Sequence, residues 1–133
     1  MNQTVDVVVG VIVKGAQILI AKRSETQHQG GLWEFPGGKV ESDESQPQAL
    51  VRELNEELGL EVESECCEKM FDIQHQYPDK QVILHIYWVE HFAGQAEGKE
   101  GQPIRWVDYQ DLSHYEFPAA NHPILQAIAM RYS

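Results

Sequence analysis

Three glutamates, Glu53, Glu56 and Glu57, stand at i, i+3 and i+4. On a helix advancing about 100° per residue they fall within about 100° of one another, along one edge. Carboxylates so spaced repel each other by roughly 0.2–0.5 kcal/mol per pair. They also crowd the C-terminal half of the helix, where the macrodipole disfavours anions. The arrangement asks for a cation. Arg52 can pair with Glu56 four residues on, but one planar guanidinium orients one or two acids better than it neutralises three. A divalent metal is the better counter-charge. Gly37-Gly38 just upstream free the backbone for close approach, so the Gly37 carbonyl could add a ligand. Such an all-oxygen set favours Mg²⁺ or Mn²⁺ over zinc. The alternative reading is an ordinary solvated acidic face.

The helix that must carry these acids is legible from Ser45 to Leu58. Ser45 and Gln48 form a capping-box pair, Pro47 fits the first turn, and Gly59 closes it. Leu50, Val51, Leu54 and Leu58 make a separate, apolar stripe. Around it, Val5–Val13 and Gln17–Ala21 read as a buried hairpin across a Lys14-Gly15-Ala16 turn. Ser24–Gly31 reads as a loop, and Leu32–Val40 as a short strand followed by a turn at Gly37-Gly38. Lys69–Gln76 and Gln81–Phe92 predict a second hairpin turning at Tyr77-Pro78-Asp79-Lys80. Ala93–Pro103 is an exposed loop, Ile104–Val107 a short strand, and Pro123–Tyr132 a terminal helix. Strands and helices without regular βαβ alternation predict an α+β chain, a sheet covered by helices on its faces.

Length and charge narrow the partners. A chain of 133 residues with 42% hydrophobic content predicts one domain spanning 1–133. Ten Lys and Arg against 21 Asp and Glu leave a formal charge of −11, which argues against direct nucleic-acid binding. A small phosphorylated ligand stays compatible if cations bridge it to the acids. No apolar run approaches the roughly 18 residues of a membrane span, and no leader pattern opens the chain, so no membrane association and a cytoplasmic location are expected. Adjacent Cys66 and Cys67 make a poor disulfide framework, which fits a reducing compartment. His28, His75, His85, His91, His114 and His122 lack zinc-helix spacing and are expected in surface or satisfied polar roles. Trp33, Trp88 and Trp106 are expected to fill core or pocket walls.

Gly38, five residues, Glu44, seven residues, Arg52-Glu53-Leu54, one residue, Glu56-Glu57, one residue, Gly59-Leu60 matches every fixed position of the Nudix hydrolase signature, and the chain resembles that family. The resemblance extends to Trp33-Glu34-Phe35-Pro36-Gly37-Gly38-Lys39, Tyr77-Pro78-Asp79-Lys80, Gly98-Lys99-Glu100-Gly101-Gln102-Pro103 and Phe117-Pro118-Ala119-Ala120-Asn121. Together these look like the MutT branch, sanitising enzymes that hydrolyse oxidised guanine nucleoside triphosphates. Lys80 departs from that branch, which carries arginine after the Pro-Asp pair.

The resemblance implies a Nudix-type α/β/α sandwich with a mixed central sheet flanked by helices. It implies a Mg²⁺-dependent (Mn²⁺ also suits) pyrophosphohydrolase acting on a small nucleotide, most directly 8-oxo-dGTP, by water attack at the β-phosphorus. That activity would keep oxidised guanine out of replicating DNA. Carried over residue by residue, Glu53 is the base, oriented by Arg52. Glu53, Glu56, Glu57 and the Gly37 carbonyl hold metal, Glu44 contributes structurally or through water, and Glu100 is a further metal ligand or catalytic helper. Arg23 and Lys39 are candidates for phosphate oxygens, and each is otherwise a surface cation. Phe35 and Asp79 fall in the nucleotide pocket, with aromatic surface to pack on the base. Asn121 is credited with reading the base edge, since an amide both donates and accepts; it also stands where the terminal helix needs an N-cap. A monomer is expected. Alternatives are a Nudix pyrophosphohydrolase for methylated or pyrimidine nucleotides or a dinucleotide, and a non-catalytic Nudix domain that senses a nucleotide or binds a protein.

Overall fold

The structure, a computed structural model, describes residues 3–23 and 31–132. The expected Ser24–Gly31 loop, all but its last residue, and His28 lie outside the described residues. The long β-branched opening run forms β1, Gln3–Lys14, and turns through Gly15 (φ 63°) into β2, Gln17–Lys22. β3 is Trp33–Glu34 and β4 is Gly37–Lys39. Helix α1 spans Gln46–Leu58; β5, Cys67–Gln76, and β6, Lys80–Val89, form the second hairpin. β7 is Ile104–Asp108 and α2 is His122–Arg131.

These strands make one 7-stranded sheet in the order β3-β2-β1-β6-β5, with β4 on β1 and β7 on β2. β1 runs parallel to β6 from Gln3↔Lys80 to Ile12↔Val89, while β4 and β2 pair with it antiparallel at Val7–Val9 and at Val13–Lys14. The sheet is therefore mixed, as expected. Strand alternation then sorts the side chains. Val8 and Ile12 pack with Ala49, Leu50, Leu54 and Leu58 of α1, whereas Val9, Val11 and Val13 pack with Ile124 and Ile128 of α2. One helix covers each face, the α+β, helix–sheet–helix layering expected from the family likeness.

Polar groups under α1 are paired rather than chemically poised. His85, buried on β6, has each ring nitrogen 2.8 Å from a carboxylate oxygen, of Asp72 and of Asp6. Cys66 and Cys67 are both free thiols, and burial pushes Cys67 up to about 11. Among the described residues no helix is long and apolar enough to cross a membrane.

Candidate active site

Local chemistry starts α1 where the sequence places it. The Ser45 hydroxyl accepts from the Gln48 N–H at 3.2 Å and the Ser45 N–H donates to the Gln48 side chain at 2.9 Å. Gly59, at φ 73°, ends the helix in the left-handed region. With Leu50, Leu54 and Leu58 drawn into the core, the adjoining edge presents Arg52, Glu53, Glu56 and Glu57.

Arg52 organises that edge. Nε and Nη2 hold the two Glu44 oxygens at 2.6 and 2.9 Å, Nη1 reaches Glu53 at 2.9 Å and Glu56 at 3.4 Å, and Nη2 also donates to the Lys39 carbonyl at 3.1 Å. The guanidinium has five N–H donors and all five are engaged. Hydrogen bonding from Arg52 holds Glu44 down at about 2. Glu44 is thus the group that fixes the arginine, which in turn aims one Glu53 oxygen.

Gly37-Gly38 was expected as a turn; it is strand β4, hydrogen-bonded to the middle of β1. Two consecutive residues without side chains carry no strand signature, yet the space here demands them. A Cβ on Gly38 would lie 2.3 Å from the Glu53 carboxyl carbon, and one on Gly37 would lie 1.9 Å from the Val8 carbonyl oxygen. The Gly37 N–H donates to Glu57 Oε2 at 3.1 Å. The Gly37 backbone is thereby set against the acid cluster through its amide.

The cluster is short of positive charge. Burial, then repulsion from Glu53, Glu100 and Glu34, pushes Glu57 up to about 8. Burial also raises Glu53, opposed by Arg52 and reinforced by Glu56 and Glu100. Glu34 is raised by burial against the pull of Arg23, whose Nη1 lies 2.6 Å from it. Glu56 faces water, its side chain 55% exposed, where Glu53 is 17% exposed. Among the described residues no three His, Cys, Asp or Glu side chains are already gathered at metal-ligand spacing. The donor set nonetheless fits a hard divalent cation. It is carboxylate oxygen throughout, it carries more negative charge than Arg52 can balance, and two of its members are driven toward protonation for want of a counter-ion.

The remaining predicted residues divide. Arg23 joins the acid cluster through Glu34. Lys39 is exposed at the end of β4, and Glu100 is exposed on the loop against the end of α1. Phe35, expected to offer a free aromatic face, is 4% exposed and stacks on Phe117 with ring centroids 5.1 Å apart, so its ring belongs to the core. That stack ties the Phe117–Asn121 segment to the strand bearing Gly37 and Gly38. Asn121 occupies the N-cap position of α2 in a helical conformation and makes no side-chain capping bond. The capping role is therefore not taken up. Asp79 is exposed in the β5–β6 turn, beside the first residues of β1, and Lys80 lies over the Tyr77 ring at 5.7 Å.

Comparison with known proteins gives this constellation its family. Residues 8–127 match the NUDIX domain. The chain is a Nudix hydrolase. It is 40% identical over 123 residues to the CTP pyrophosphohydrolase of Escherichia coli K12, covering 92% of this chain and 90% of that protein. It is 37% identical over 121 residues to the 8-oxo-dGTP diphosphatase of the same strain, covering 90% and 92%. A solved structure from work on MutT of Aliivibrio salmonicida and Vibrio cholerae superposes with a TM-score of 0.84 at 36% identity, covering 97% of this chain and 99% of that one. The Nudix hydrolase described here is accordingly a pyrophosphohydrolase.

Two members of this Nudix site escaped sequence reasoning. Glu34, read only as part of the matching segment, brings Arg23 to the cluster. Gln102 joins two parts of the site through its side-chain amide. Both lie inside motif segments, but nothing in local periodicity distinguishes them from their neighbours.

Proposed function

We propose that this chain is a Mg²⁺-dependent nucleoside triphosphate pyrophosphohydrolase that prefers 8-oxo-dGTP and related oxidised guanine nucleotides, acting as a single domain. Asn121 carries the preference. Its amide is not spent on capping α2, and Phe117 and Phe35 anchor its segment beside the Gly37-Gly38 strand. Oxidation gives guanine a C8 oxygen that accepts and an N7–H that donates, and one amide can answer both.

In the reaction proposed, a water oxygen bonds to the β-phosphorus as the bond from that phosphorus to the α–β bridging oxygen breaks, giving nucleoside monophosphate and pyrophosphate. Glu53 takes the proton of that water on the carboxyl that Arg52 aims. Burial of Glu53 raises its basicity, which suits the task. Glu56, Glu57, Glu100 and the Gly37 carbonyl would hold Mg²⁺, which when bound neutralises phosphate oxygens and makes water more acidic. Arg23 and Lys39 supply positive charge to the phosphates, and Asp79 closes the far side of the nucleotide pocket.

A second reading, a pyrimidine nucleotide substrate, is favoured by the 40% identity to a CTP pyrophosphohydrolase and by Lys80, a point charge where the MutT branch has a planar fork. Steady-state kinetics on 8-oxo-dGTP, dGTP, CTP and 5-methyl-dCTP, with Mg²⁺ and with a chelator, separate the two. The first reading expects the highest kcat/KM for 8-oxo-dGTP and loss of turnover on chelation. A preference for CTP or its methylated relative moves the assignment to the second, and turnover that survives chelation removes the metal.

A further inference from the structure

The C-terminal turn of α1 bears Glu57, and its last carbonyls need partners from outside the helix. They find them on one loop. Glu97 N–H donates to the Leu58 carbonyl at 3.0 Å, and Lys99 N–H to the Glu57 carbonyl at 3.0 Å. The Gln102 side chain adds a second donor to the Glu57 carbonyl, Nε2 at 3.1 Å, while its Oε1 accepts from the Glu100 N–H at 2.9 Å. One amide therefore bridges the backbone of Glu57 and the backbone of Glu100. The loop is folded tightly enough for this because Gly98 has no Cβ, which would lie 2.0 Å from the Gln102 carbonyl, and because Gly101 takes φ 81°.

We propose that Gln102 is a positioning residue for hydrolysis, a latch that holds the exposed Glu100 beside Glu57 at the end of α1. Without it Glu100 would sit on a glycine-flanked turn held to the helix only through its neighbours' backbone. Both halves of the amide are required. Ala removes both bonds, and Glu keeps the acceptor for Glu100 N–H but sets an anion against the Glu57 carbonyl and the negative end of the helix. The inference rests on Glu100 being part of the site.

The test is a double-mutant cycle on kcat, using the nucleotide the wild-type enzyme turns over fastest. Gln102→Ala and Glu100→Ala should each lower kcat by about tenfold or more, with KM changed less than about twofold, the pattern of interactions made mainly in the transition state. The double variant should be no slower than Glu100→Ala alone. A merely structural role for Gln102 would instead multiply with the loss of Glu100. Such multiplication, or a Gln102→Ala enzyme at the wild-type rate, overturns the inference. A Glu100→Ala enzyme at the wild-type rate also overturns it, while leaving hydrolysis through Glu53 intact. Should Gln102→Ala fail to fold, Gln102→Glu enters the same cycle with the same criteria. A wrong substrate assignment appears only as a different fastest nucleotide for the wild type, and the cycle is read on that one.

Discussion

Titrating the metal-free protein and following its Tm probes the acid cluster directly. Glu57 is pushed from 4.5 up to about 8 in the folded state, first by burial and then by Glu53, Glu100 and Glu34. In the unfolded chain the same carboxyl deprotonates near its ordinary value. Below about 4.5 both states hold the proton and the group contributes nothing. Between about 4.5 and 8 the folded state keeps a proton that the unfolded state has lost, so stability falls as pH rises and levels off above about 8. At about 1.4 kcal/mol per pH unit the whole gap is worth ~5 kcal/mol. Water reaching the carboxyl through its exposed side screens part of this, leaving ~2 kcal/mol. An unfolding entropy of ~2.1 cal/mol/K per residue over the chain converts that into a Tm drop of about 7 °C from pH 5 to pH 8. Saturating Mg²⁺ should restore most of the loss at pH 8 and little at pH 5, where the ligand is protonated. Glu57→Gln should flatten the slope and cancel the metal gain. Differential scanning fluorimetry at fixed ionic strength measures all of it. A Tm that does not fall between pH 5 and pH 8, or a Mg²⁺ gain equal at both, would refute the view of these carboxylates as an under-neutralised metal site.

Three further expectations concern particular contacts. Glu44, held down at about 2 by Arg52, contributes stability that is present above about 4.5 and lost as pH falls through about 2; Glu44→Gln should be less stable than wild type at pH 7 by circular dichroism, and the two should converge at the acid end. Gly38→Ala puts a methyl into the Glu53 carboxyl, so it should lower kcat by about tenfold or more, and a Tm loss smaller than that of Gly37→Ala is expected because the latter strikes the Val8 backbone; equal effects on activity and stability for both would disprove the separate seats. Asn121→Ala should leave Tm within about 2 °C, since no capping bond is lost, while reducing kcat/KM for 8-oxo-dGTP about tenfold more than for dGTP; a uniform loss with a lower Tm would restore the capping role.

Much of this fold is written in local chemistry. The Ser45–Gln48 box, Pro47, the Leu50, Leu54 and Leu58 stripe and Gly59 define α1 without reference to the rest of the chain, because caps and periodicity act within a few residues. Once that helix exists, Glu53, Glu56 and Glu57 must share an edge. The two hairpins follow from β-branched runs broken by turn residues in the same way.

Where those pieces meet was decided only by the tertiary structure. Gly37-Gly38 reads locally as a turn, and it is a strand because β1 supplies the hydrogen bonds and Glu53 the crowding. Phe35 reads as free surface until Phe117, more than eighty positions along, covers it. The same holds for Arg23 with Glu34, and for Gln102 between Glu57 and Glu100. Asn121 reads as a cap until α2 is seen to begin without using its side chain. Helix and hairpin signals are short-range and repeat along the chain, whereas a glycine seat or a bridging amide is set by a single distant neighbour and leaves no periodic trace in the sequence.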